Sequence, residues 1–67
     1  MREWLAEERK KRGMTQLEVA NEIGISEGYY SYIESGERQK KMDIIIATKL
    51  SVVFGIPVDR IVELEKE

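Results

Sequence analysis

The sequence contains no cysteine and no histidine among its 67 residues. Without cysteine there is no disulfide staple and no thiolate chemistry. Without histidine, carboxylates are the only candidate metal ligands, and no cofactor is expected. A chain this short allows a single domain, residues 1–67. A domain of that size is marginal unless something adds stability, and oligomerisation is the remaining route. No apolar run approaches the roughly 18–20 residues that span a bilayer. The N-terminus "MREWLAEERK" is charged from its second residue, which does not fit a secretory signal. A cytoplasmic location is expected, with no membrane partner. The sequence also lacks alternating strand patterns, internal repeats and low-complexity tracts. It has no nucleophile–base pair, phosphate-cradling glycine loop or metal-ligand set, so it is not expected to be an enzyme.

Positive charge is scarce overall, with a formal net charge of −2. Its distribution is uneven. Residues 1–13 carry five bases and three acids, whereas residues 14–36 carry four glutamates and no base. Residues 37–41, "ERQKK", are again basic, and residues 42–67 sum to −2. Two short basic segments can face phosphates even on an acidic chain. Equally, they can be solvated surface charge.

What is present reads as five short helices. The first spans about Arg2 to Arg12 and stops at Gly13, with a basic last turn that suits the helix dipole. The second starts at Thr15, where "TQLE" forms a capping box between Thr15 and Glu18. Met14 and Val19 occupy staple positions, and Leu17, Ala20 and Ile23 mark a buried face. Gly24 ends this helix. The third begins with Ser26 as N-cap, has Ile25 and Tyr30 at staple positions, and closes at Gly36. The fourth covers about Met42 to Phe54 and ends at Gly55. The fifth follows Pro57, whose fixed φ suits a helix start.

The second helix, the turn at "GIS" and the third helix form a candidate helix-turn-helix. Ala20 is small where two helices must approach, Gly24 supplies the sharp turn, Ile25 plugs the junction and Ile33 anchors the third helix. At this point "TQLEVANEIGISEGYYSYIESGER" resembles the Cro and lambda-repressor-like DNA-binding domain, the Xre family. Thr15-Gln16, Ala20, Gly24-Ile25-Ser26 and Ile33-Glu34-Ser35-Gly36 carry the resemblance. It extends forward to Arg9 and Gly13 and onward through "FGIPVDRIVEL". It implies a compact all-α, five-helix, lambda-repressor-like fold. The implied function is sequence-specific binding of double-stranded DNA, as a transcriptional regulator and most simply a repressor, on the nucleoid if bacterial or phage. No small-molecule ligand is expected. A protein-interaction module that has lost DNA binding is the alternative. Two features depart from the family pattern. Glu8 stands where an apolar residue is usual, leaving Trp4 and Leu5 to carry the packing of the first helix. The fourth helix also begins about two residues later than usual.

The resemblance and helical geometry together nominate residues. Gln16, at the first turn of the second helix, would bind a phosphate beside free backbone N–H groups. On the third helix, Tyr30 and Ile33 define the core side, with the Tyr30 hydroxyl near its edge. Gly28, Ser31, Tyr32 and Ser35 point most nearly outward, and Glu27, Tyr29 and Glu34 lie on the flanks. The base-facing candidates are therefore Glu27, Gly28, Ser31 and Tyr32. Tyr32 can meet a thymine methyl or a base edge, and Glu27 can accept from cytosine or simply stabilise the helix N-terminus. Gly28 allows close approach of DNA, or makes room for Tyr29 or Tyr32. The phosphate candidates are Gln16, Tyr29, Ser35, Arg38, Lys40 and Lys41, with Lys10, Lys11 and Arg12 as weaker ones. The resemblance pairs Arg9 with Glu34 as a structural ion pair.

From Ile44 to Phe54, eight of eleven residues are apolar, more than one buried stripe requires. The fifth helix adds Val58, Ile61, Val62 and Leu64. Ile44, Ile45, Val58, Ile61, Val62 and Leu64 are therefore candidates for a homodimer interface. Alternatively, the surplus closes the monomer's own core.

Overall fold

Local capping chemistry sets most helix boundaries. In the computed structural model, which describes residues 1–36 and 42–66, the Thr15 hydroxyl accepts from the Glu18 N–H at 3.1 Å. The Glu18 carboxylate in turn accepts from the Thr15 N–H at 2.8 Å. This reciprocal pair starts α2, Gln16–Ile23, and Gly24 ends it in a left-handed conformation at φ 76°. The Ser26 hydroxyl accepts from the Tyr29 N–H and starts α3, Glu27–Ser35. The remaining helices are α1, Glu3–Lys11, α4, Ile44–Phe54, and α5, Val58–Lys66. No strand forms among the described residues.

Two boundaries differ from the sequence reading. The fourth helix begins at Ile44 because Asp43, just before the apolar run, is its N-cap. Its carboxylate accepts from the Ile45 N–H at 2.7 Å and, more weakly, from that of Ile46 at 3.4 Å. The first helix begins after Arg2, whose N–H leaves the helix to donate to the Glu34 carbonyl at 2.8 Å.

The core lies where α2 crosses α3 and α4, with α1 and α5 closing the ends. Leu5, Val19, Ala20, Ile23, Tyr30, Ile33, Leu50, Phe54 and Ile61 are all buried in it. A fully buried Leu or Ile side chain contributes about 1.5–3 kcal/mol. Leu17, expected on the buried face of α2, is instead 48% exposed. Val19 takes that place, so the inward stripe is Val19, Ala20 and Ile23. Leu17 sits on the first turn, beyond the surface that neighbouring helices cover.

Polar contacts complete the frame. The Lys49 ammonium donates to the Ile23 carbonyl at 3.2 Å, covering the C-terminal end of α2 from α4. Arg2 does the same for α3: its guanidinium donates to the Ile33 carbonyl, adding to the backbone bond at Glu34. The last carbonyls of a helix have no partner within it, so each contact answers a real need. The Arg2 Nε is also held at 2.9 Å by Glu65 of α5, which accepts from the Trp4 indole at 2.8 Å as well.

Glu8 is paired within the first helix. It accepts from Arg12 at 2.7 Å and from Lys11 at 3.3 Å. Arg12 then reaches the end of α4, donating from Nη2 to the Phe54 carbonyl at 2.6 Å. A charged chain thus replaces an apolar contact in joining α1 to α4.

Candidate nucleic-acid interface

The junction of α2 and α3 is built by a tight sequence of local signals. After Ile23, Gly24 takes a φ that other residues avoid. The Ile25 N–H returns to the Ala20 carbonyl at 3.0 Å, and Ser26 caps α3 at once. Ala20 is fully buried where the two helices meet. The two helices are thereby locked in one relative orientation, and α3 presents a fixed outer surface.

On that surface Glu27 and Gly28 are exposed, Tyr32 is 47% exposed and Tyr29 is 37% exposed. Ser31 and Ser35 are half-buried rather than fully outward. Ser31 stands on the flank of the face, and the Ser35 hydroxyl turns back to the Tyr32 carbonyl at 3.0 Å. A side chain at Gly28 would meet nothing within 4 Å. Packing within the monomer therefore does not require glycine there, which removes the idea that it makes room for Tyr29 or Tyr32.

Tyr30, Ile33 and Glu34 face inward and are buried. The Tyr30 hydroxyl is buried too, not at the core edge, and has no hydrogen-bond partner among the described residues. Burial, reinforced by the adjacent Glu34 carboxylate, holds this phenol far above its ordinary pKa.

Behind α3 lies an ion pair. Arg9 donates to Glu34 through Nε and Nη2, both at 3.0 Å, in a bidentate fork. Its Nη1 donates to the Met14 carbonyl at 3.0 Å, just ahead of α2. Gln16 adds a third donor, with Nε2 at 3.1 Å from Glu34 Oε1. Burial alone would raise the Glu34 pKa. The Arg9 guanidinium first, then the polar Tyr30 hydroxyl nearby and the Gln16 amide, outweigh it, so the carboxyl lies below its ordinary range. The same pairing, against burial, raises the Arg9 pKa. The pair is therefore charged on both sides. Sequence reasoning gave Gln16 a phosphate role and missed its link to Glu34, because the two are 18 residues apart.

The basic phosphate candidates Arg38, Lys40 and Lys41 lie outside the described residues. Arg12 and Lys11 are committed to Glu8, and Arg12 also to Phe54. Among the dimer candidates, Ile61 is only 1% exposed and belongs to the monomer core. This corrects its assignment as an interface residue: it is the inward position of α5. Val58 and Leu64 are half-buried. Ile44, Ile45 and Val62 are 67%, 61% and 44% exposed. Val52, not among the candidates, is the most exposed of this apolar set, at 78%. On a helical projection it falls between Ile44 and Ile45, so all three share one outer face of α4.

This arrangement, two capped helices across a left-handed glycine with a sealed inner face and an open outer face, defines an Xre-type helix-turn-helix DNA-binding domain. The chain belongs to that family: the family model described as "Helix-turn-helix" matches residues 5–61. It is similar to a Bacillus subtilis (strain 168) protein named "Uncharacterized HTH-type transcriptional regulator YqaF". The two are 40% identical over 55 residues, 82% of this chain and 70% of that protein. No solved structure matches the chain. No helix among the described residues is long and apolar enough to cross a membrane.

Proposed function

We propose that this chain is a repressor that binds an inverted-repeat operator as a homodimer, placing α3 in the major groove. The observation that carries the reading is the division of α3. Tyr30, Ile33 and Glu34 fix it to the body, while Glu27, Gly28 and Tyr32 remain on the open side. A major groove admits a helix whose outer residues reach base edges. Gly28 offers close approach with no competing packing role. Gln16, Tyr29 and Ser35 serve the phosphates beside this face, together with Arg38, Lys40 and Lys41. These last three supply the basic charge that α3 lacks.

The dimer rests on the outer face of α4. Ile44, Ile45 and Val52 form an exposed apolar stripe on it, and the exposed Val62 of α5 is a further candidate. In a twofold dimer the two recognition helices are spaced about 34 Å apart, one turn of DNA. The repressor would act in the cytoplasm, on the nucleoid.

Selection of bound duplexes from a random pool tests this reading. Enrichment of a palindromic site supports it. Failure to bind duplex DNA at low salt would instead favour a protein-interaction module on the same scaffold.

A further inference from the structure

We propose that Glu34 is a positioning residue for DNA binding, acting through Gln16. The proposal rests on the reading of Gln16 as a phosphate contact.

The geometry begins with what a carboxylate can do. Glu34 is 3% exposed and held ionised by Arg9. An ionised carboxylate only accepts, so Gln16 must present its amide nitrogen to it and not its amide oxygen. That requirement fixes the amide in one of its two flip states. One N–H of Gln16 goes to Glu34 at 3.1 Å. The second N–H of the same nitrogen remains as a donor, at the first residue of α2, next to that helix's unpaired backbone N–H groups. With the opposite flip, the carbonyl oxygen would face an incoming phosphate and repel it. Glu34 thus converts an ambivalent amide into a dedicated donor.

Arg9 makes the arrangement rigid. One guanidinium binds both Glu34 oxygens and the Met14 carbonyl, and the Met14 N–H returns to the Arg9 carbonyl at 3.2 Å. The entry to α2 and the side chain of its first residue are therefore set by one buried pair. A donor held in place before binding loses less conformational entropy on contact.

The test is duplex binding at fixed salt, followed by fluorescence anisotropy on the selected site. Four proteins are compared: wild type, Gln16→Ala, Glu34→Asp and the double variant. Glu34→Asp keeps the negative charge but draws the shared oxygen back from both Gln16 and Arg9. Gln16 is neutral and releases no counterion, so the slope of log K against log salt should stay that of the wild type. Gln16→Ala and Glu34→Asp are each expected to bind roughly three- to tenfold more weakly. The double variant is expected to be no worse than either. Wild-type affinity in Glu34→Asp, or losses that add, would overturn the proposal.

The wild type carries a second test that needs no variant. In its ¹⁵N spectrum the Gln16 side-chain proton facing Glu34 is expected downfield of an ordinary glutamine already in the free protein, and the other proton is expected to shift on adding duplex. Both protons at ordinary glutamine positions, or neither moving with duplex, would sink the idea even if Glu34→Asp fails to fold. If the wild type does not bind duplex DNA at all, the DNA reading itself fails, which is a distinct result.

Discussion

Arg12 lies over Phe54, with its guanidinium carbon 4.9 Å from the ring centroid and Nη2 on the Phe54 carbonyl. One side chain of α1 therefore both stacks on the last residue of α4 and satisfies one of its orphan carbonyls. Glu8 steers Arg12 there, and in doing so has its own pKa lowered, chiefly by the Arg12 hydrogen bond. Arg12→Ala should destabilise the fold by about 1–2 kcal/mol, combining a cation–π contact and a capping hydrogen bond. Arg12→Lys should recover only part, because lysine cannot stack as a plane. Urea unfolding measures both. Since Arg12 is committed internally, the salt slope of DNA binding should not change.

Arg2 should matter more than its place near the chain end suggests. It is 8% exposed and joins the end of α3 to Glu65 of α5. Arg2→Ala leaves Glu65 and the Ile33 carbonyl without this donor. A loss of roughly 2–4 kcal/mol is expected. The single tryptophan reports on it, because the Trp4 indole shares Glu65. Its emission should change in Arg2→Ala and in Glu65→Gln. Unchanged emission in both would mean that the Glu65 contacts do not persist in solution.

Acid should unfold the protein partly through Glu34. Its folded pKa lies below the ordinary value, so the native state binds this proton less readily than the unfolded chain. Its contribution is fully present above the unfolded pKa, about 4.3. It is lost as pH falls from there through the folded pKa. A denaturation series across this range should show stability dropping in the wild type. The drop should be shallower in Glu34→Gln, which has no proton to take up.

At the alkaline end, Tyr30 takes over. Its folded pKa is raised by burial, so its contribution is complete below the unfolded tyrosine value of about 10. As pH rises beyond that value, the unfolded chain ionises and the native state does not, so stability falls. An ultraviolet titration should show no Tyr30 phenolate until the protein unfolds. Tyr30→Phe removes a hydroxyl with no described partner. It should therefore change stability by less than about 1 kcal/mol and flatten the alkaline loss.

Val52→Asp separates assembly from folding. Val52 is 78% exposed on the apolar face of α4. A charge there should leave the melting temperature of the monomer fold nearly unchanged and abolish the proposed dimer. Sedimentation of the wild type at micromolar concentration should give twice the 7.8 kDa chain mass, and the variant the chain mass. A monomeric wild type would refute the dimer.

Most of the capping decided within one or two helical turns was legible in the sequence. Thr15 with Glu18, Ser26 and Gly24 act between neighbours in the chain, so the order of residues alone places the caps and the turn. The inward places of Tyr30 and Ile33 follow from helical periodicity in the same way. Asp43 was also readable as an N-cap, standing directly before an apolar run, though the helix was expected to begin at Met42.

The choices that remained belong to tertiary structure. Leu17 and Val19 are similar apolar side chains on one helix, and only the packing of α3 and α4 buries Val19 and leaves Leu17 outside. Ile61 is buried and Val52 exposed for the same reason, since hydrophobicity does not say which apolar face meets the core. The partners of Arg2, Gln16 and Arg12 lie 63, 18 and 42 residues away. A polar side chain can be satisfied by water as well as by protein. Only when the helices close and exclude that water does the chain settle which carboxylate and which carbonyl each of these donors will hold.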